Sequence, residues 1–335
     1  MLAIPCQPVN APQLHAGLDR LQGGRDRGLR SQRQSLGCGP VLAAAHSFLF
    51  IPWFRLEPWH LPIPFVGELP IQPFGVLVAI GILSGAKLAE RRGRELGIEP
   101  ALLSDFATHT VAAGLLCAFV LNGVFYSPER VVRLVSDPSW STVKRYGCLG
   151  LSSYGGFMGA VLGGWIWRQR RGKSLLLAGD AGTFGFPLGW MFGRTGCFVV
   201  HDHPGVVTTF PLAVDNYHQL GQPRHDLGLY EVIWSAAATL LFLLLARKRQ
   251  PAGTYMALFA LLYGPIRFFL DFLREVPERG GDVRYAALTP GQYGSILLTL
   301  AGLGLLWRVR RGPEPALELG TTRGTDPAGA KAVDP

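Results

Sequence analysis

Gly193-Arg194-Thr195-Gly196-Cys197-Phe198-Val199-Val200-His201-Asp202-His203-Pro204-Gly205 closes an apolar run that begins near Leu175. A helix over that run spans the roughly 30 Å of a bilayer core, so Arg194 is placed inside a membrane or at its edge. A guanidinium at that depth is costly unless paired or solvated, which makes Arg194 a candidate functional residue. Snorkelling to the interface is the competing reading. Gly189, Gly193 and Gly196 leave room for a backbone or a lipid head group, and the planar fork of arginine donors suits a phosphate. His201, Asp202 and His203 follow at once. Histidine is the usual general base near neutral pH, while a plain loop turning at Pro204-Gly205 is the alternative.

The rest of the composition agrees with a membrane protein. Of 335 residues, 48% are hydrophobic and 16% charged, where a soluble domain carries about 25% charged residues; mean hydropathy is +0.23. Apolar runs recur over residues 72–89, 102–126, 151–167, 175–200, 227–246, 254–272 and 290–307. The fold expected is an all-α integral membrane protein of about seven transmembrane helices. Basic clusters follow the first, third, fifth and seventh runs: Lys87 to Arg94, Arg168 to Lys173, Arg247 to Arg249, and Arg308 to Arg311. With alternating runs these share one side, which the positive-inside rule makes cytoplasmic. The amino terminus is then periplasmic and the carboxyl terminus cytoplasmic. Much of the net charge of +9 is thereby a topology signal, and a nucleic-acid partner is not expected. The five cysteines show no CxxC spacing, so neither a metal site nor a disulfide framework is read from them.

Residues 1–55, with arginines at 20, 25, 27, 30 and 33 and little apolar periodicity, are expected to be a disordered extension or the product of a mis-assigned start. The membrane domain covers 56–312. Residues 313–335 read as a disordered cytoplasmic tail.

With this topology the polar residues gather at the outer ends of the runs. Tyr154, Gly155 and Gly156 open the third run, Tyr230 and Glu231 open the fifth, and Arg267, Asp271 and Arg274 close the sixth on one helical face. Two arginines beside glycines suit an anionic lipid head group, and would stabilise a phosphate leaving group. His201, His203, Asp202 and Tyr154 are the candidate bases. No cofactor is implied.

Gly-Arg-Thr-Gly-Cys-Phe followed by an acid and Gly205, the segment Leu229-Tyr230-Glu231, Gly264-Pro265-Ile266-Arg267, Asp271-Phe272-Leu273-Arg274, and Gly291-Gln292 together resemble the prolipoprotein diacylglyceryl transferases of bacterial inner membranes. The likeness runs from about Gln72 to Arg308, in order. It implies transfer of a diacylglyceryl group from phosphatidylglycerol to the lipobox cysteine of a prolipoprotein signal peptide, with release of glycerol phosphate. Arg194, Gly155, Gly156, Gly205 and Glu231 would bind lipid; Arg267 and Asp202 would be catalytic. The chain departs from the family pattern at Tyr154, where a histidine is usual, at Phe74, where a tyrosine is, and at Cys197 and Val200, where asparagines are. A phenol with an ordinary pKa near 10 is a poor base, so His201 or His203 is expected to act in its place. Two other readings stay open: a non-catalytic relative that binds anionic phospholipid or lipoproteins, and a small-anion or lipid transporter.

Overall fold

Proline fixes where four of the helices begin. It sits at the first helical position, where its missing N–H removes no hydrogen bond, in α1 (Pro73–Glu95), α2 (Pro100–Tyr126), α3 (Pro128–Ser136) and α8 (Pro290–Arg310). Side-chain caps open three more. Ser152 starts α4 (Ser153–Arg171), Ser174 starts α5 (Leu175–Val200), and Asp226 accepts from the Leu229 N–H at 3.0 Å to start α6 (Leu227–Leu245). Thr289 and Gln292 form a reciprocal capping box on α8. The remaining long helix, α7 (Thr254–Leu270), runs on into a 3-10 turn at Asp271–Leu273.

The computed structural model describes residues 50–54, 56–63, 67–142, 151–215, 217, 221–275 and 282–312. Residues 1–49 and 313–335, which carry most of the expected disordered extension and all of the expected tail, lie outside the described residues.

The protein is mostly helical, and long helices occupy all seven apolar runs. α1, α2, α6 and the α7 helix with its 3-10 turn are long and apolar enough to cross a membrane. Apolar side chains on the bundle's outside are bare, among them Leu83, Leu116, Val161, Leu240, Leu297 and Leu300, as lipid contact requires.

Small residues bring helices to backbone distance. On α1 and α5, Gly81 and Gly85 face Gly189 and Gly185, so that a Cβ added at Gly185 would lie 2.1 Å from the Gly85 carbonyl oxygen. On α4, Gly155, Gly159 and Gly163 lie against the backbone of α2 from His109 to Ala118. This small-xxx-small spacing is how helices pack where no water drives them together. Gly185→Val should therefore split α1 from α5 at a cost of about 3 kcal/mol, seen as loss of the monodisperse peak in detergent size-exclusion chromatography.

Among the described residues six short strands cap one end of the bundle, where α5 and α7 finish and α4, α6 and α8 begin. They are β1 (Ile51–Pro52), the hairpin of β2 (Trp59–Ile63) and β3 (Gly67–Ile71), β4 (Pro204–Val207), β5 (Val214–Asp215) and β6 (Arg224–Asp226). Apart from the hairpin they form one sheet in the order β1-β5-β6-β4, with β1 parallel to β5 and the other pairs antiparallel. β1 lies on the amino-terminal side of residue 55. Trp53 just after it stacks on His201 at 6.3 Å.

Candidate active site

Three helices each contribute one ionised group to a single buried cluster. Glu231, the fifth residue of α6, is 1% exposed. Its Oε2 forms an ion pair with Arg194 Nε at 2.9 Å and accepts the indole N–H of Trp190 at 3.2 Å and the Tyr263 hydroxyl at 2.8 Å. Its Oε1 faces Arg267 Nε at 3.7 Å. One carboxylate thus balances two arginines, Arg194 from α5 and Arg267 from α7, both nearly sealed from solvent. The guanidinium of Arg194 also lies over the Trp190 ring, 4.6 Å from its centroid, a cation–π contact.

The i, i+4, i+7 face of the sequence is realised as a ladder. Asp271 pairs with Arg267 and, at 2.8 Å, with Arg274; it also accepts from the Thr289 hydroxyl. Arg274 reaches on to Asp282 at 2.8 Å. Each charge of this buried set therefore has a counter-charge, which is the condition for keeping ions at this depth.

His203 sits on the rim. Arg194 Nη1 donates to its Nε2 at 3.4 Å, so Nδ1 carries the proton and donates to Asp202. His203 is 23% exposed at its side chain and Asp202 44%. His201, two residues earlier, goes elsewhere. It closes α5 in a left-handed conformation, φ 51°, which turns its ring away from Arg194 and into the strand cap. There Nδ1 bonds Asp226 Oδ2 at 2.9 Å, and Trp53, Phe54, Phe198 and Tyr217 surround the ring. The Tyr217 hydroxyl donates to the His201 carbonyl at 3.0 Å and to Asp226 at 3.2 Å. Burial, and then the charge of Asp226, push its phenol pKa well up, so it stays a donor. Tyr217→Phe removes this tie and should lower stability by about 1–2 kcal/mol, read as a lower melting temperature with the arginine cluster intact.

Tyr154 is buried where α4 meets α8. Its hydroxyl shares a hydrogen bond with Ser295, and its ring lies on Gly294, where a Cβ would come within 2.4 Å of it. Gly155 touches α2 at the Ala118 backbone, and Gly156 is only lightly packed. Gly205, on β4, is pressed against the His225 side chain and the Leu273 carbonyl, and its own carbonyl accepts from Arg224 at 3.0 Å. It bridges to Arg274 and so ties the cap to the ladder.

Of the residues expected at the site, Arg194, Arg267, Glu231, Asp202 and His203 come together; Tyr154, Gly155 and Gly156 stand between helices, and His201 and Gly205 in the cap. Sequence reading missed Trp190, Tyr263, Thr289 and Asp282. The first two lie four residues before Arg194 and Arg267, one helical turn away; that spacing was the available signal. It also missed that Cys197, Asp202 and His203 meet. One ligand-type atom from each lies within 4.8 Å of the other two.

The model of the prolipoprotein diacylglyceryl transferase family matches residues 62–308. The chain belongs to that family. It is 30% identical over 274 residues to the phosphatidylglycerol–prolipoprotein diacylglyceryl transferase of Pseudomonas fluorescens, covering 79% of this chain and 97% of that protein. The enzyme of the same name from Nitratidesulfovibrio vulgaris is 30% identical over 257 residues, 75% and 94% of the two chains. That of Chromohalobacter salexigens is 29% identical over 252 residues, 74% and 91%.

Proposed function

We propose that the protein transfers the diacylglyceryl group of phosphatidylglycerol to the lipobox cysteine of prolipoprotein signal peptides, forming a thioether and releasing glycerol phosphate. The observation that carries this reading is the pair of buried arginines, from α5 and α7, held by one carboxylate on α6. Such a pair is a bidentate receptor for a phosphodiester. As the glyceryl C–O bond breaks, charge grows on the phosphate oxygens, and preorganised guanidiniums in a water-poor site stabilise it. Arg194 binds the head group. Arg267, tethered by Asp271, meets the leaving oxygen. The acceptor thiol enters at the rim formed by Cys197, Asp202 and His203, where it loses its proton. His201 plays a different part, since with Asp226 and Tyr217 it locks the cap over the site. Tyr154 keeps α4 on α8, Gly155 and Gly156 let α2 approach, and Gly205 carries the cap onto Arg274.

All seven long helices cross the inner membrane in this reading, with the amino terminus periplasmic and the carboxyl terminus cytoplasmic; the basic clusters after alternate helices support it. Residues 56–312 form the transferase domain. Membership of the transferase family and the fully paired arginine cluster at one end of the bundle speak against a transporter, whose sites lie near the midplane, and against a mere binding relative.

The test is transfer of radiolabelled diacylglyceryl from phosphatidylglycerol to a lipobox peptide by the purified protein in detergent. Labelled thioether is expected with a cysteine peptide and none with its serine analogue. No product from either, with phosphatidylglycerol still bound, would assign the site to lipid binding alone.

A further inference from the structure

A cavity of about 500 Å³ opens where the strand cap meets α6, within the range of ligand sites, roughly 300–1,000 Å³. Phe210, Leu212 and His225 of the cap, Tyr230 and Ile233 of α6, and Leu273 of the 3-10 turn line it. The two polar side chains are turned on each other, His225 Nδ1 and the Tyr230 hydroxyl sharing a hydrogen bond at 2.7 Å. Burial lowers the pKa of His225, so the lining is uncharged at neutral pH. The Phe210 ring completes the wall, 6.0 Å from that of His225 and 6.3 Å from that of Tyr230.

The apolar side chains of this wall are held open. Phe210 and Leu212, between β4 and β5 and off the lipid-facing helices, are 51% and 41% exposed. Leu212 also has a left-handed backbone, φ 75°, which is costly for a bulky residue and concentrates at active sites and ligand clamps. Glycine would fit that backbone without strain but would leave the cavity without its wall.

The cavity adjoins the arginine cluster on two elements: Tyr230 precedes Glu231, and Leu273 precedes Arg274. Tyr230 and Ile233, at i and i+3, share one face of α6, while Glu231 is turned to Arg194 and Arg267. β4 joins the two places. His203 stands at the rim, and Gly205, two residues on, presses against His225 and the Leu273 carbonyl. Two extended residues cover about 7 Å. A cysteine held at the rim thus has its second or third neighbour at the cavity mouth when its peptide runs extended along β4. Signal peptides carry their apolar stretch on the amino-terminal side of the processing site, which supplies such a neighbour. The acyl chains of a phospholipid held by the arginines run the other way, between helices toward the bilayer midplane.

We propose that this cavity takes a large apolar side chain two or three residues before the acceptor cysteine, and so selects the peptides that present a thiol at the rim. The proposal rests on the transferase reading and names the feature of the acceptor that is recognised. The arginines hold the donor; the cavity holds the acceptor by a group that does not react, and that binding fixes the position of the thiol.

The test uses the full chain in detergent and lipobox peptides with Leu or Ala at each of the two positions. Their serine analogues, which give no thioether, report binding by fluorescence anisotropy. At one of the positions the leucine peptide should bind at least about tenfold tighter than the alanine peptide, the usual discrimination of an apolar pocket. Leu212→Gly removes part of the wall and relieves the left-handed backbone, so the fold is not threatened. Both Leu212→Gly and Ile233→Ala should erase the preference and raise KM for the leucine peptide by about tenfold, with KM for phosphatidylglycerol as in wild type. Equal binding of the two peptides by the wild-type protein, or a preference that survives in both variants, overturns the proposal while labelled thioether keeps the transferase reading standing. A changed KM for phosphatidylglycerol with that for the peptide unaltered also overturns it, and makes the cavity an acyl-chain site. Leucine-dependent binding that is lost in Leu212→Gly, with no thioether from any cysteine peptide, does the reverse: the cavity stands and the transferase reading falls.

Discussion

Arg194→Ala should lower the rate of diacylglyceryl transfer by about 10²–10³-fold, the loss seen when one preorganised donor to a developing oxyanion is removed. The side chain is buried, directed by Glu231 at 2.9 Å and laid on the Trp190 ring, so no neighbour can swing in to replace it. Arg194→Lys sharpens the test. Lysine restores the charge but has neither the planar fork nor the reach to hold Glu231 and a phosphate oxygen at once. Its activity should stay at least about tenfold below wild type by the same reasoning. Both variants are to be assayed beside phosphatidylglycerol binding, measured by retention of labelled lipid. An Ala variant within tenfold of wild type would remove Arg194 from the mechanism.

Glu231→Ala should have the largest effect on the fold. The carboxylate is the shared counter-ion of two arginines that are themselves buried, and it also takes the hydrogen bonds of Trp190 and Tyr263. Removing one member of a buried ion cluster costs about 3–5 kcal/mol, because the partners stay behind uncompensated. The melting temperature in detergent should fall by roughly 10 °C, with most of the protein lost to aggregation during expression. Glu231→Gln keeps an acceptor for the indole and the phenol but not the charge, so its loss should be intermediate. Equal melting temperatures for Ala and wild type would mean that Arg194 and Arg267 are solvated rather than paired through this residue.

What could be read from the sequence follows from where the information sits. Seven apolar runs were legible because length and hydropathy are local properties, and long helices fill them. Their ends were less so: α1 runs to Glu95 and α4 to Arg171, since basic residues continue a helix once its apolar part has ended. The short strands were invisible, because a two-residue strand such as Ile51–Pro52 exists only through its pairing with Val214–Asp215, far along the chain. Arg194, Glu231 and Arg267 stood out as ionised groups in apolar surroundings, but their sharing of one carboxylate depends on how α5, α6 and α7 pack. His201 and His203 looked equivalent in one dimension. The left-handed residue at the end of α5 sends their rings to different sites, and no pattern of residue types announces it. Tyr154 read as a candidate base; its partner Ser295 lies 141 positions away.

Glu231 comes after Arg194 in the chain and before Arg267. While the protein is being made, α5 therefore leaves the ribosome carrying a guanidinium that has no counter-ion, and must wait with that group at the water interface until α6 follows. Arrival of Glu231 draws it in, and α7 then delivers a second arginine to a carboxylate already in place. Assembly of the bundle is thus ordered by charge from the amino-terminal side, and a chain interrupted before residue 231 holds an arginine that nothing yet anchors.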